Sequence, residues 1–512
     1  MSVLIPPRDL GQHGPAAGPT PAPSAGSGWF RAFLLRLHFY AGILAAPFLL
    51  VAAVSGGLYA MTPQLEKALY PTELHVPAVT QPLSLAEQVS AAVVAAEGAT
   101  PVKVRPAPGP EDTTRVLFAD PTLGESQLRT VFVNPETAEI RGDLPTYGSS
   151  GSLPLRTWIS TLHRSLHLGE AGRIYSELAA SWLWVVALGG FALWIDRLLR
   201  RRGPRAQATG LGSGTSATGS PANNPAPGAG VSATGTKGKQ RTGRARMAWL
   251  HGTLGTVLLV GFMFLSATGL SWSAQAGGNI GTLRSVMGWE TPVVSTSLSG
   301  AAAQSGAHAG HGGSTAAAVE ATATPAEFDT VLGAARASII SSPMVDIRPP
   351  ASAGKAWTFT EVGRQWPATA SVVAVDGTTG EITSTADFSE FGLMAKLTNW
   401  TIAAHMGILF GLANQLVLLG VAAGLAVMVV LGYMMWWKRR PIRGSSWALG
   451  RPAPRGAFRR GSWLGILAVI TVMVGLGFAL PLLGWSLLIF LGIDLAIGFV
   501  KSRRRRASSI AV

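Results

Sequence analysis

Six stretches of this chain are continuously apolar, near 38–60, 178–197, 248–270, 406–437, 462–480 and 483–500. Roughly 20 apolar residues in a helix cross a hydrocarbon core, so the pattern predicts a polytopic α-helical membrane protein. The last two stretches meet at Pro481 and read as a helical hairpin. Between the first and second spans, and again between the third and fourth, the pattern changes. An amphipathic stretch from Ser84 to Glu97 precedes strand-like runs at 101–106, 114–119 and 129–134, and then the turn from Asn134 to Ile140. The second long segment repeats this order, with a helix near 325–338, strands near 344–348, 356–361 and 370–376, and the turn from Asp376 to Ile382. Helix followed by a small antiparallel sheet is an α+β module. The chain is therefore an internal repeat of helix, outer module, helix, twice over.

The expected boundaries follow. A tail (1–28) precedes span 1 (29–61), outer module 1 (62–160), and a His-bearing segment with span 2 (161–199). A linker (200–246), span 3 (247–272), a Gly/Ala/Ser segment (273–324) and outer module 2 (325–395) come next. Span 4 (396–440), a basic loop (441–461), the hairpin (462–500) and a basic tail (501–512) complete the chain. A cleavable signal peptide is the rival reading of 29–60, but the apolar run exceeds a typical h-region and no small-x-small site follows.

Charge fixes the orientation. The segments 61–177 and 271–400 hold 23 of the 26 Asp and Glu, whereas 26 of the 41 Lys and Arg lie outside them. Basic residues stay on the cytoplasmic side, so the six spans place both termini in the cytoplasm and both modules outside. The formal charge of +15 thus reports topology. Arg503 to Arg506 abut a span, and no nucleic-acid partner is expected.

The candidate chemistry is histidine. His38 opens the first span, His251 the third and His405 the fourth, while His163 and His167 lie just ahead of the second. Imidazole beside hydrocarbon is a functional-site hypothesis by default, and it is a ligand of haem iron. Arg31 and Arg36 put His38 near the inner face, and Arg244 and Arg246 put His251 at the same depth. A continuous helix from His405 to Trp437 would rise roughly 48 Å, placing His405 at or beyond the outer face. His163 and His167 are four apart, hence on one face if helical. Two pairs at opposite faces imply two haems. The chain has no cysteine, which excludes disulfides, thiolate ligation and covalent c-type attachment, leaving b-type haem. Arg156, Arg164 and Arg173 are available near the outer face for haem propionates or an anionic substrate.

Leu37-His38-Phe39-Tyr40-Ala41-Gly42, Leu162-His163-Arg164-Ser165-Leu166, Trp249-Leu250-His251-Gly252, His405-Met406-Gly407 and Trp436-Trp437-Lys438-Arg439-Arg440 together resemble the PepSY-associated transmembrane helix family. The turns ending Glu139-Ile140 and Glu381-Ile382 resemble the close of PepSY modules. The resemblance covers roughly 29–440. It implies a bacterial inner (cytoplasmic) membrane protein with two PepSY-like extracytoplasmic modules, and some members are ferric-siderophore reductases with two b-type haems. Carried onto this chain, it implies two bis-His haem b groups, with His38 and His251 as inner and His163 and His405 as outer axial ligands. His167 is left as an alternative ligand, a propionate partner or an interfacial residue.

The expected function is electron transfer from a cytoplasmic-side donor to an extracytoplasmic ferric chelate or siderophore. No nicotinamide or flavin fingerprint is present, so the donor is a separate reductase or a quinol. The alternative is a non-enzymatic sensor or assembly factor whose outer modules bind a protein. A transporter would want more mid-bilayer polar groups than Ser55, Ser181, Ser266, Thr268 and Asn414 supply. A zinc-protease reading of His163-x-x-x-His167 fails at Arg164, where that motif needs Glu.

Overall fold

The computed structural model describes residues 28–202, 235–298, 323–438 and 462–510. Helix α1 (Trp29–Ala60) leads through α2 (Thr62–Leu69) and α3 (Pro71–Leu74) to the outer region, where α4 (Leu85–Ala95) precedes four strands. These are β1 (Pro101–Arg105), β2 (Thr114–Phe118), β3 (Gln127–Val133) and β4 (Ile140–Tyr147). Then come α5 (Pro154–Ser165), α6 (Gly169–Arg202), α7 (Gly235–Val257), α8 (Leu259–Ser271) and α9 (Gln275–Val286). The second outer half holds α10 (Pro325–Arg336), β5 (Val345–Arg348), β6 (Trp357–Glu361), β7 (Val372–Val375) and β8 (Ile382–Ala386). Helices α11 (Leu393–His405), α12 (Gly411–Trp437), α13 (Trp463–Ala479) and α14 (Pro481–Ile510) close the chain.

Among the described residues, α1, α6, α12 and the first part of α14 are long and apolar enough to cross a membrane. Helices α7 and α8 form a fifth such unit, bent by 57°. Helix α13 has 17 residues, about 26 Å at 1.5 Å each, a little short of the ~30 Å core. The protein is a multi-pass membrane protein. Its bundle core is built on small residues of α1 (Ala41, Ala45, Ala46 and Ala53), which bring α6 and α12 close, and α8 joins the same core against α6. Helix α14 joins the same core through Leu483 and Leu487, and Trp182 Nε1 donates to Ser486 Oγ at 3.1 Å. Trp182 is therefore an interhelical contact, whereas Trp249 and Trp437 stay exposed.

The helix that carries the expected third span extends back to Gly235, and its membrane-capable part begins at Ala245, close to the expected 247. One sequence expectation about the helices is corrected. His405 does not open span 4: it ends α11, and the chain turns through 406–410 before α12 begins at Gly411. Gly407 and Gly411 take positive φ at that turn (76° and 55°), a conformation open to glycine without strain. The expected tail (1–27), most of the linker (203–234), the tract 299–322 and the loop 439–461 lie outside the described residues.

The outer region departs further from expectation. Instead of two separate sheets there is one eight-stranded sheet, ordered β4-β3-β2-β1-β5-β6-β7-β8. Strands β1 and β5 join the halves, with Val104 opposite Ile347. Each half alone would leave a backbone edge open, and pairing removes both inner edges. One face carries a single core in which Val89 and Ala92 of α4 pack with Phe328 and Val331 of α10 over Val104, Val116, Ile347, Trp357 and Phe359. Asp329 of α10 also caps α4, accepting from Leu85 N (2.7 Å) and Ala86 N (3.0 Å). The sequence reading gave three strands per half; β4 and β8 are the missed fourth strands. Both are largely exposed edge strands and carry little apolar alternation to detect.

Candidate functional site

Four of the five predicted histidines are brought together in two pairs. His38 on α1 faces His251 on α7, with ring centroids 6.3 Å apart and planes at 79°. His163 on α5 and His405 at the end of α11 lie within electrostatic range of each other. All four imidazoles are half-buried. Gly190 makes room for His38, since a Cβ there would approach His38 Cε1 to 2.8 Å. Gly56 does the same for His163, at 3.0 Å from Cε1.

Hydrogen bonds set the tautomers. The Val186 carbonyl can only accept, so at 3.0 Å it takes the proton of His38 Nδ1. Ser55 Oγ spends its one proton on the Val51 carbonyl at 2.7 Å, so it accepts from His163 Nδ1 at 3.0 Å. Thr268 Oγ1 donates to the Phe264 carbonyl at 2.7 Å and accepts from His405 Nδ1 at 2.5 Å. In each case Nδ1 carries the proton and the Nε2 lone pair is left for another partner. His251 approaches the Met428 backbone, yet its Nδ1 is buried without a well-formed hydrogen bond.

Two opposed imidazole lone pairs can ligate one metal on a shared axis. Two metal–nitrogen bonds of about 2.0–2.1 Å, plus roughly 1.1 Å from each nitrogen to its ring centre, span about 6.3 Å. That equals the observed inner separation. Among the described residues no three His, Cys, Asp or Glu converge on a metal position. The His38–His251 spacing suits a metal that brings its own remaining ligands.

His167 stands apart. Helix α5 ends at Ser165, and Leu166 and His167 both adopt positive φ (53° and 56°), so His163 and His167 do not share a helical face. His167 is exposed and stacks on Trp158, centroids 5.0 Å apart. Of the three arginines named from sequence, Arg173 pairs with exposed Glu170 at 3.2 Å and Arg164 donates to Tyr147 Oη at 2.9 Å. Only Arg156 is buried, beside Glu66 at 3.6 Å.

Sequence reasoning passed over Ser55 and Thr268, weighing them only as mid-bilayer polar groups. The signal was present: Ser55-Gly56 follows His38 by 17 positions, and Thr268-Gly269 follows His251 by 17. Each repeat thus carries an inner imidazole and, five turns on, the hydroxyl that orients an outer one.

The family described as the PepSY-associated TM region matches residues 35–439, a range that contains all five histidines. No curated protein sequence matches the chain.

Proposed function

This chain belongs to the PepSY-associated TM region family, and from that premise we propose that it is a bacterial inner-membrane electron-transfer protein holding two b-type haems. His38 and His251 hold the inner haem, and His163 and His405 the outer. The observation that carries this reading is the 6.3 Å separation of the inner rings, which matches bis-imidazole ligation. The outer pair is supported by its two hydroxyl-fixed Nδ1 protons, which present Nε2 as ligand. When bound, haem supplies a one-electron Fe(III)/Fe(II) couple.

The chain's own part is ligation, orientation and insulation. Val186, Ser55 and Thr268 hold the Nδ1 protons, which fixes ring orientation and raises the basicity of Nε2. Apolar walls from α1, α6, α8 and α12 exclude water. His38 to Ser55 is 17 positions along α1, roughly 26 Å of rise, so the two pairs lie near opposite faces of a ~30 Å core. Electrons enter from a cytoplasmic-side quinol or reductase and leave, one per Fe(III), to an extracytoplasmic ferric chelate. Reduction to Fe(II) weakens hard-oxygen ligation and releases the iron. The α13–α14 hairpin crosses twice, leaving both termini in the cytoplasm. The test is a dithionite-reduced minus oxidised spectrum, with a haem-to-protein ratio, on protein purified from haem-replete cells. Two haems per chain with a b-type spectrum are expected, and a colourless preparation sinks the reading.

A further inference from the structure

The second face of the eight-stranded sheet carries charge where the first carries hydrocarbon. Side chains alternate across a strand, so Val104, Val116 and Ile347 enter the core while Lys103 and Arg105 of β1, Arg115 of β2 and Asp346 of β5 point the other way, toward α3 and α5. Asp346 accepts from Arg105 Nε at 2.7 Å and meets Lys103 Nζ at 3.3 Å. The remaining Arg105 nitrogens donate to the Ser149 and Ser150 carbonyls at 3.1 and 3.2 Å. Arg115 lies over the Phe132 ring at 5.6 Å, beside Arg105 near Gly151. Arg364, from the β6–β7 loop, donates to Ser149 Oγ at 3.4 Å and to the sulfur of Met406, the residue after His405, at 3.1 Å. Arg156 of α5 donates to Tyr59 Oη at 3.3 Å and pairs with Glu66, but its Nη2 is buried without a partner.

Five cations thus meet two directly paired carboxylates. Among the described residues neither Arg115 nor Arg364 has a carboxylate within 4.0 Å. Buried charge is ordinarily paired. Here burial instead lowers Arg115 to about 10 and Lys103 to about 8. We propose that this basic cluster, between the sheet and the His163–His405 pair, is a binding site for a carboxylate-bearing anion, with Arg156, Arg364 and Arg115 as its ligands. Planar guanidinium forks suit carboxylate oxygens, and an excess of three cations over the directly paired carboxylates suits a ligand with more than one. With a haem propionate as ligand the site rests on the electron-transfer reading, and with a free polycarboxylate it stands without it. The carboxylate has two possible sources: a propionate of the outer haem, or a free polycarboxylate such as an iron chelator.

Two experiments on the full-length chain in detergent separate the sources. The first is calorimetric titration with citrate at fixed low ionic strength, with chloride as control. Binding that is weakened about tenfold in Arg364→Gln and Arg115→Gln, and partly restored in Arg364→Lys, assigns the site to a free polycarboxylate. The second compares protohaem with its dimethyl ester on haem-depleted protein. Preference for the free acid in wild type, erased in Arg364→Gln, assigns the site to a propionate. The lysine variant guards against misfolding, since a collapsed fold would not be rescued by charge alone. The proposal is overturned if citrate binding is absent or arginine-independent and the ester binds as well as the acid. A colourless protein that binds citrate through these arginines keeps the site and removes the haems.

Discussion

Replacing Ser55 with Ala isolates one link between the bundle and the outer histidine pair. The change deletes an oxygen 3.0 Å from His163 Nδ1 and leaves the α1 backbone intact, because the lost donation to Val51 merely duplicates a helical hydrogen bond. Two effects follow from the geometry. Loss of the hydroxyl leaves the half-buried Nδ1 proton with only the Ala52 backbone as acceptor, costing up to about 1–3 kcal/mol. The ring is also freed to take the other tautomer, which withdraws the Nε2 lone pair. Partners of this kind around a metal-binding imidazole are worth about 10–100-fold in affinity, or roughly 1.4–2.7 kcal/mol. Haem titration of depleted protein, followed in the visible, should show two binding phases in wild type. In Ser55→Ala one phase should weaken by that factor while the other is unchanged. Thr268→Val should weaken the same phase, since Thr268 orients the other member of the same pair. Unchanged titrations in both variants, or weakening of the phase abolished by His38→Ala, would refute the tautomer argument.

Other outcomes follow from the same geometry. His38→Ala or His251→Ala should remove about one of two haems, read as a pyridine haemochrome ratio. The pairs are roughly 26 Å apart along α1, so equal loss from all four single histidine variants would mean one haem or a collapsed fold. His167→Ala should leave haem content unaltered, because His167 is exposed and stacked on Trp158; loss of a haem would reinstate it as a ligand. Asp346→Asn strands Lys103 and Arg105 without their carboxylate and should destabilise the outer sheet by about 3–5 kcal/mol, measured as a lower unfolding midpoint. Burial alone would raise the Asp346 carboxyl, but Arg105 and Lys103 bring it down to about 2. Its stabilisation is therefore complete above about pH 4 and is lost as pH falls toward 2. A midpoint flat across that window in wild type, or equally steep in Asp346→Asn, would contradict the assignment.

Four or five membrane-capable helices, the repeat of helix and strands and the candidate histidines are readable in the sequence, because each rests on local properties. Twenty apolar residues must be a helix in hydrocarbon, and an imidazole at such a boundary is conspicuous wherever it points. Termination signals are weaker. The turn at Met406–Phe410 interrupts an apolar run with Gly407 and Gly411, and without the fold those glycines read as ordinary packing residues. The same holds for Leu166 and His167, whose left-handed backbone ends α5 with no proline or glycine at either position.

Sequence by itself therefore determined a multi-pass membrane chain built as a repeat, with its acidic loops apart from its basic ones and its histidines at the span ends. Tertiary structure alone decided how the two outer halves combine. A sheet edge is unsatisfied backbone, and backbone polarity is the same in every sequence, so the β1–β5 seam leaves no pattern to read. It also decided which histidines pair, because that depends on where α1, α5, α7 and α11 pack, and on hydroxyls 17 positions away along two of the spans. The basic cluster is of the same kind: Arg105, Arg115 and Arg156 come from β1, β2 and α5, and Arg364 from the β6–β7 loop. Their excess over Asp346 and Glu66 exists only once those elements have met.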